Sequence, residues 1–235
     1  MSAYQFQPPH PENLMRVPMD DVNFQGKRVL VRCDFNGTVK GGKITDTTRI
    51  DAALATVLHV LDNGAAQVVI LSHNEKHAKI EKDPVVYSLG PITEYLTVKL
   101  GVSVDFVSGF SHPIVSGSRV VLMENVRNDA RDEGKDTAAS EAYAREIIAA
   151  TKHDVYVLDV FRVSHRGQAS VTFLASIMQN RGKLAVAGHL LRAEYKWFIE
   201  KIIEHPAHPF LVFLGGAKVS GKGGKLQILE ALLPN

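Results

Sequence analysis

One cysteine, Cys33, is all that the 235-residue chain contains, which excludes an intramolecular disulfide and fits a reducing compartment. Its place inside an apolar run makes core filler its expected role. An excess of charge of one sign is also lacking. Against 27 Lys+Arg stand 25 Asp+Glu, so nothing marks a dedicated nucleic-acid surface, and any positive patch must be local. No apolar run approaches the roughly 20 residues needed to cross a bilayer, and the opening MSAYQFQPPHPENLM has no secretion-signal core. No membrane association is therefore expected, and the location expected is cytoplasmic. Internal repeats and low-complexity tracts are missing too. What is there, 45% apolar and 22% charged residues, is an ordinary globular composition, long enough for one large domain or two small ones.

Five stretches share one pattern, a short apolar run followed at once by polar residues suited to an anion. They are KRVLVRCDFN with Arg32, Asp34 and Asn36, QVVILSH with His73, and RVVLMENVR with Asn125 and Arg127. DVYVLDVFRVSHR carries Asp159, His165 and Arg166, and PFLVFLGGAKVSGK carries Lys218 and Lys222. Strand and helix patterns alternate along the chain, which predicts βαβ units and a Rossmann-like, three-layer α/β fold with a mainly parallel sheet. Ligands of such sheets bind outside the carboxyl ends of the strands. One face should therefore gather arginines, histidines and carboxamides around a phosphorylated small molecule.

After an irregular arm to about residue 25, the patterning predicts a helix over about 46–63, with Ile50, Leu54, Val57, Leu58 and Leu61 at helical spacing and Gly64 as the stop. A strand follows at Gln67 to Leu71, then a polar, mobile loop from His73 to Tyr87, and Ser88 caps a helix through Leu100. Further strands are expected at about 102–107, 119–123, 155–158 and 183–187, and helices at about 137–152, 170–179 and 190–204. A last strand, Phe210 to Leu214, follows the breaker-rich HPAHP segment.

Arg32 lies inside an apolar run, where a guanidinium needs a partner; it either pairs with Asp34 or Asp159 or faces an anion. Asp34 and Asn36 share one face beyond the strand, as ligand contacts or as turn caps. Arg49 opens a helix, where a cation opposes the macrodipole; with the neighbouring N–H groups it can instead build a phosphate site. His73 ends a strand beside Ser72, and Arg127, His165 and Arg166 are marked only by their shared position after strands. GAKVSGKG at Gly216 to Gly223 misses the P-loop pattern by its last residue, so the hydroxyl that would hold magnesium is absent. DVYVLD mimics a Walker B strand with Asp159 as its metal carboxylate. A plain flexible glycine turn is the alternative.

RVLVRCDFN, GKITDTTRI, VVILSH, MENVR, DVYVLDVF followed by SHRGQAS, and GGAKVSGK together, in this order over about Lys27 to Leu233, resemble the N-terminal half of a phosphoglycerate kinase. That resemblance implies reversible phosphoryl transfer between 1,3-bisphosphoglycerate with ADP and 3-phosphoglycerate with ATP, in glycolysis. It implies Asp34 and Asn36 at the glycerate, a basic patch of Arg32, Arg49, His73, Arg127, His165 and Arg166, and Lys218 and Lys222 at the phosphates of a magnesium nucleotide (Mg2+ with ATP or ADP). Arg49 and Lys222 take the catalytic places, since such chemistry rests on positioning and charge neutralisation.

Departures from the family pattern fall at working positions. Gly37-Thr38 stands for Val-Pro, and SHNEKH for SHLGRP, so that Lys76 replaces an arginine and cannot make a planar bidentate contact. Leu158, Arg162 and Gln168 replace an asparagine, a glycine and a histidine, and Gly221 an acidic residue. The domains implied are residues 1–188 for glycerate binding, 189–206 as the connecting helix, and 207–235 as the start of the nucleotide domain. Most of the nucleotide site lies beyond these residues in the family, so the lone chain is expected to be inactive or very weak. The alternative is a noncatalytic anion-binding or regulatory remnant. Either reading leaves the C-terminal segment to self-associate or to pair with a separate domain.

Overall fold

In the computed structural model the described residues are 11–205, 207–209, 211 and 213. The chain divides into two compact units, Met1–Leu191 and Arg192–Asn235. A short helix, α1 (Pro11–Met15), leads to β1 (Arg28–Arg32), the hairpin β2 (Val39–Lys40) and β3 (Lys43–Ile44), and α2 (Thr48–Asp62). Then come β4 (Gln67–Leu71), α3 (His77–Ile80), α4 (Ile92–Leu100), β5 (Val104–Val107), β6 (Val120–Met123) and α5 (Thr137–Thr151). The run β7 (Val155–Leu158), α6 (Leu174–Asn180), β8 (Leu184–Ala187) and α7 (His189–Tyr195) follows, and α7 leads into a π-helical stretch, Lys196–Glu204. Among the described residues, no helix is long and apolar enough to cross a membrane.

Six strands form one sheet in the order β5-β6-β4-β1-β7-β8, every neighbouring pair parallel. The predicted Rossmann-like α/β fold is thus the observed one. Successive strand side chains point to opposite faces, and the core divides accordingly. Val29, Val31, Val68, Ile70, Val155 and Val157 pack on one side with α2 and α4. Leu30, Val69, Leu71, Tyr156 and Leu158 pack on the other with α5 and α6. A sheet buried on both faces explains why its strands read as continuous apolar runs rather than as alternation.

In α2 the buried residues are Ile50, Ala53, Thr56, Val57, Val60 and Leu61, while Leu54 and Leu58 are partly covered. Asp46 starts the helix by accepting from Thr48 N–H at 2.9 Å. Gly64, at φ 82°, lies two residues past its end. The expected loop His73 to Tyr87 contains α3, and its first residues are buried rather than free. Ser88 is a second correction. Its hydroxyl donates to Glu124 at 2.6 Å and accepts from Gly90 N–H, while α4 begins after Pro91 without a side-chain cap. Most of the expected strand Phe210 to Leu214, and both Lys218 and Lys222, lie outside the described residues.

Candidate functional site

The helix after β1 covers one face of the sheet and the helix after β7 the other, so the connections leave the carboxyl ends of these two neighbouring strands in opposite directions. Such a switch point is where α/β sheets open a crevice. Arg32 ends β1 there, paired in register with Leu158 of β7 and Leu71 of β4.

Arg32 is fully buried. Its Nε donates to Ser170 Oγ at 3.0 Å, one terminal nitrogen donates to the Cys33 carbonyl, and the other lies 3.0 Å from His73 Nδ1. It pairs with neither Asp34 nor Asp159, the two partners the sequence offered. Ser170 is itself anchored: its N–H donates to Asp132 at 2.9 Å and its carbonyl accepts from Tyr156 at 2.7 Å. Because a guanidinium only donates, His73 Nδ1 is the acceptor and its ring proton sits on Nε2. Burial, then the charges of Arg32, Arg127, Arg49 and Arg166, hold the His73 pKa well below the usual histidine range. His73 is therefore a neutral residue inside a ring of arginines. Cys33 beside it is buried core filler, its thiol pushed up chiefly by burial.

Arg127 closes the inner group from the 3-10 turn after β6. It is 5% exposed, one terminal nitrogen donates to the Glu75 carbonyl at 2.8 Å, and its buried Nε has no partner. Burial pulls its pKa below the usual arginine value. The turn carrying it is capped by Asn125, whose side-chain oxygen accepts from Arg127 N–H and from Asn74 N–H, both at 3.2 Å. Asn74, in turn, takes Gly37 N–H at 2.9 Å and donates to the Val39 carbonyl at 2.9 Å. These two buried amides lock three loops together.

Arg49, in the first turn of α2, has its side chain 30% exposed. It donates to the Asn36 carbonyl at 2.6 Å and stands 3.5 Å from Asp34. Asp34 also accepts from Asn36 N–H at 3.1 Å, and the Asn36 side chain accepts from Glu75 N–H at 2.8 Å. Asp34 and Asn36 thus serve as turn caps in the described structure. Outside this layer stand Lys76, Arg162, His165 and Arg166, all exposed. The loop holding the last three is fixed at its end by a backbone approach that admits no side chain. A Cβ on Gly134, at φ +74°, would lie 1.8 Å from the Gly167 carbonyl.

Asp159 is buried, and it does not stand as a free metal carboxylate. One oxygen accepts from Leu190 and Leu191 N–H at 2.9 and 3.2 Å, holding the start of α7. Gly188 makes this possible, since a Cβ there would meet that carboxylate at 2.4 Å. Burial raises the Asp159 pKa above the usual carboxylate value. The Walker B likeness is therefore a helix cap. With Asp34 turned to Arg49 and Asp159 to α7, neither acid beside the described arginines fits a magnesium nucleotide. Lys218 and Lys222 lie outside the described residues.

Sequence reasoning found the arginines and His73, and it passed over Ser170, Asp132 and the structural work of Asn74. Burial of a lone polar residue leaves no periodic signal. Asn74 was visible only as a departure from SHLGRP.

A family model described as phosphoglycerate kinase matches residues 19–235. Among curated relatives, a probable phosphoglycerate kinase of Caenorhabditis elegans is 35% identical over 94% of this chain and 54% of its own length. A phosphoglycerate kinase of Borrelia duttonii is 39% identical over 91% of the chain and 52% of its own. The solved phosphoglycerate kinase of Coxiella burnetii superposes with a TM-score of 0.73 at 32% identity, over 92% of this chain and 52% of that one. The chain thus spans about half the length of the relatives it matches.

Proposed function

The chain belongs to the phosphoglycerate kinase family, and we propose that its first unit is the glycerate-side half of that enzyme. It binds 3-phosphoglycerate at the carboxyl ends of β1, β4, β6 and β7 for reversible phosphoryl transfer in which 3-phosphoglycerate and ATP give 1,3-bisphosphoglycerate and ADP. The observation carrying this reading is the buried cluster of Arg32, His73 and Arg127 at adjacent strand ends, with Arg32 3.0 Å from His73 Nδ1. Concentrated positive charge at a switch-point crevice calls for an anion. Arg49, partly exposed and in the first turn of α2, would meet a transferring phosphoryl. Arg166, His165 and Lys76 supply the remaining exposed contacts. The domain division that goes with this reading is residues 1–188, the connecting helix over 189–206, and nucleotide-side residues from 207 onward.

The nucleotide half of the chemistry needs the donor phosphates held in line with the acceptor. Lys218 and Lys222 are the contacts this chain offers to it, and no magnesium-bound step is assigned to the described residues. Without that positioning, an advantage that can reach about 7–11 kcal/mol is largely lost. A polypeptide of these 235 residues is therefore expected to show no turnover of ATP with 3-phosphoglycerate above background, and to gain turnover when a separately expressed nucleotide domain of a relative is added. A coupled assay on host-kinase-free protein tests this. An ordinary rate from the polypeptide alone, abolished by Arg49→Ala, refutes the expectation. Calorimetric binding of 3-phosphoglycerate with no turnover in the mixture favours the noncatalytic remnant instead.

A further inference from the structure

Away from the strand-end crevice, Asp20, His59 and His189 each place one ligand atom within 4.8 Å of the others. They belong to separate elements: a 3-10 turn at Met19–Asp21, the last turn of α2, and the first residue of α7. His59 Nδ1 lies 3.7 Å and His189 Nε2 4.0 Å from the same atom, Asp20 Oδ1. Those separations are too long for hydrogen bonds. They are close to the spacing of about 3.4 Å between donors that share one tetrahedral ion through bonds of about 2.1 Å.

The two imidazoles meet edge to face rather than stacked, with centroids 4.9 Å apart and planes at 87°. Neither ring therefore blocks the other's nitrogen. An independent observation concerns the far side of His59, where Nε2 is buried and has no hydrogen-bond partner. No hydrogen bond at that nitrogen accounts for holding the ring between Phe24 and His189. An ion on Nδ1 would hold the ring instead and would leave the proton on Nε2, which has no acceptor there. His189 is held by its backbone N–H, which donates to Thr56 Oγ at 3.0 Å. The Asp20 side chain is 70% exposed, which leaves an entry path and room for water in the fourth position.

We propose that Asp20, His59 and His189 form a site for a divalent cation of the zinc type, tying the N-terminal turn and the start of α7 to α2. Two imidazoles and one carboxylate suit zinc and its borderline-soft neighbours. Magnesium, which favours oxygen ligands in octahedral geometry, is excluded by the same set.

The test uses the tag-free chain, stripped with a chelator and titrated with zinc in competition with a chromophoric chelator. One equivalent is expected to bind and magnesium not to displace it. Asp20→Asn and His189→Gln should each weaken it at least about tenfold, the lower end of what even outer-shell changes cost. Asp20 is exposed, so its variant keeps the fold, which circular dichroism checks. Zinc should raise the melting temperature of the wild type and leave that of Asp20→Asn unchanged. Cobalt(II) in the wild type should give the visible absorption of a four-coordinate centre, lost in His189→Gln. Absence of stoichiometric zinc binding overturns the proposal. So does zinc held equally well by both variants, which would place the metal on other histidines of the chain.

Discussion

The basic patch has an inner and an outer ring, and the two are built for opposite tasks. Arg32, His73 and Arg127 are at most 5% exposed, and donors on both arginines are committed to protein atoms. Arg162, His165, Arg166 and Lys76 are exposed, and their side chains enter no hydrogen bond or ion pair among the described residues. Arg49 lies between, partly exposed and resting on the Asn36 carbonyl. A guanidinium with its donors occupied supplies field but few contacts; an exposed one supplies contacts but a screened field. On the proposed function, the inner ring would charge and shape the crevice while the outer ring and Arg49 would touch the ligand. Positive charge in a sequence does not by itself distinguish the two.

The sharpest way to break this division is to truncate one residue from each side. Arg32→Ala leaves Ser170 Oγ and His73 Nδ1 without this donor, while the Cys33 carbonyl keeps the Ser72 hydroxyl at 2.9 Å. Orphaned buried groups cost about 1–3 kcal/mol each, so a loss of stability of about 3 kcal/mol or more is expected in urea denaturation. Arg49→Ala should leave stability within about 1 kcal/mol, since its ion pair is long and partly exposed. It should instead weaken 3-phosphoglycerate binding by about 1.5–3 kcal/mol, the range for charge-assisted hydrogen bonds. The reverse pattern, a stable Arg32→Ala that no longer binds, would move Arg32 into the outer ring.

How far the site could be read from sequence follows the same line. The strands were legible because a sheet covered on both sides needs uninterrupted apolar runs, and Gln67 to Leu71 is the observed β4 to the residue. Arg32, Arg49, His73 and Arg127 were legible because each follows a strand or opens a helix. What escaped was the pairing. Arg32 reaches Ser170, 138 positions away, and no local spacing encodes so distant a partner. Asp159 had the look of a metal ligand because strand–acid is a common pattern, and only Gly188 behind it hinted that a backbone would close on that carboxylate. Residues 73–87 read as a loose polar loop because a buried, fully bonded asparagine looks the same in sequence as an exposed one.

Acid is the next probe, and it should strike the inner ring before the outer. His73 is held neutral, its pKa well below the usual value chiefly by burial. His153, at the opposite end of the sheet, is pulled down to about 3, again mainly by burial. Both folded values lie under the unfolded value of 6.5, so the unfolded chain binds protons first. Their contribution is complete above that pH and is lost as pH falls from 6.5 toward the folded values. At pH 5, about 1.5 units below the unfolded value, His153 costs about 2 kcal/mol, and His73 acts in the same direction. Denaturation midpoints between pH 7 and 5 should show this slope. His153→Gln should flatten it, while anion binding by the arginines persists over the same range. A slope that His153→Gln does not change would show that histidine burial is not its source.

The smallest effect concerns Glu75, which sits against both rings. Its carbonyl holds Arg127, its N–H donates to Asn36, and its carboxylate lies 3.0 Å from Lys79. The backbone of Glu75 thus serves the inner ring while its charge opposes the outer one. Glu75→Gln keeps the backbone bonds and removes only the charge, so stability should stay within about 0.5 kcal/mol, as for other surface changes. Affinity for 3-phosphoglycerate should rise by about 0.2–1 kcal/mol, the scale of an exposed charge interaction, and the gain should disappear at high ionic strength. Calorimetry of wild type and variant at low and high salt measures both. Weaker binding by the variant at either salt would mean that the Glu75 charge orients Lys79 or Arg127 toward the ligand. The division between a structural ring and a contacting one would then fail at the residue that joins them.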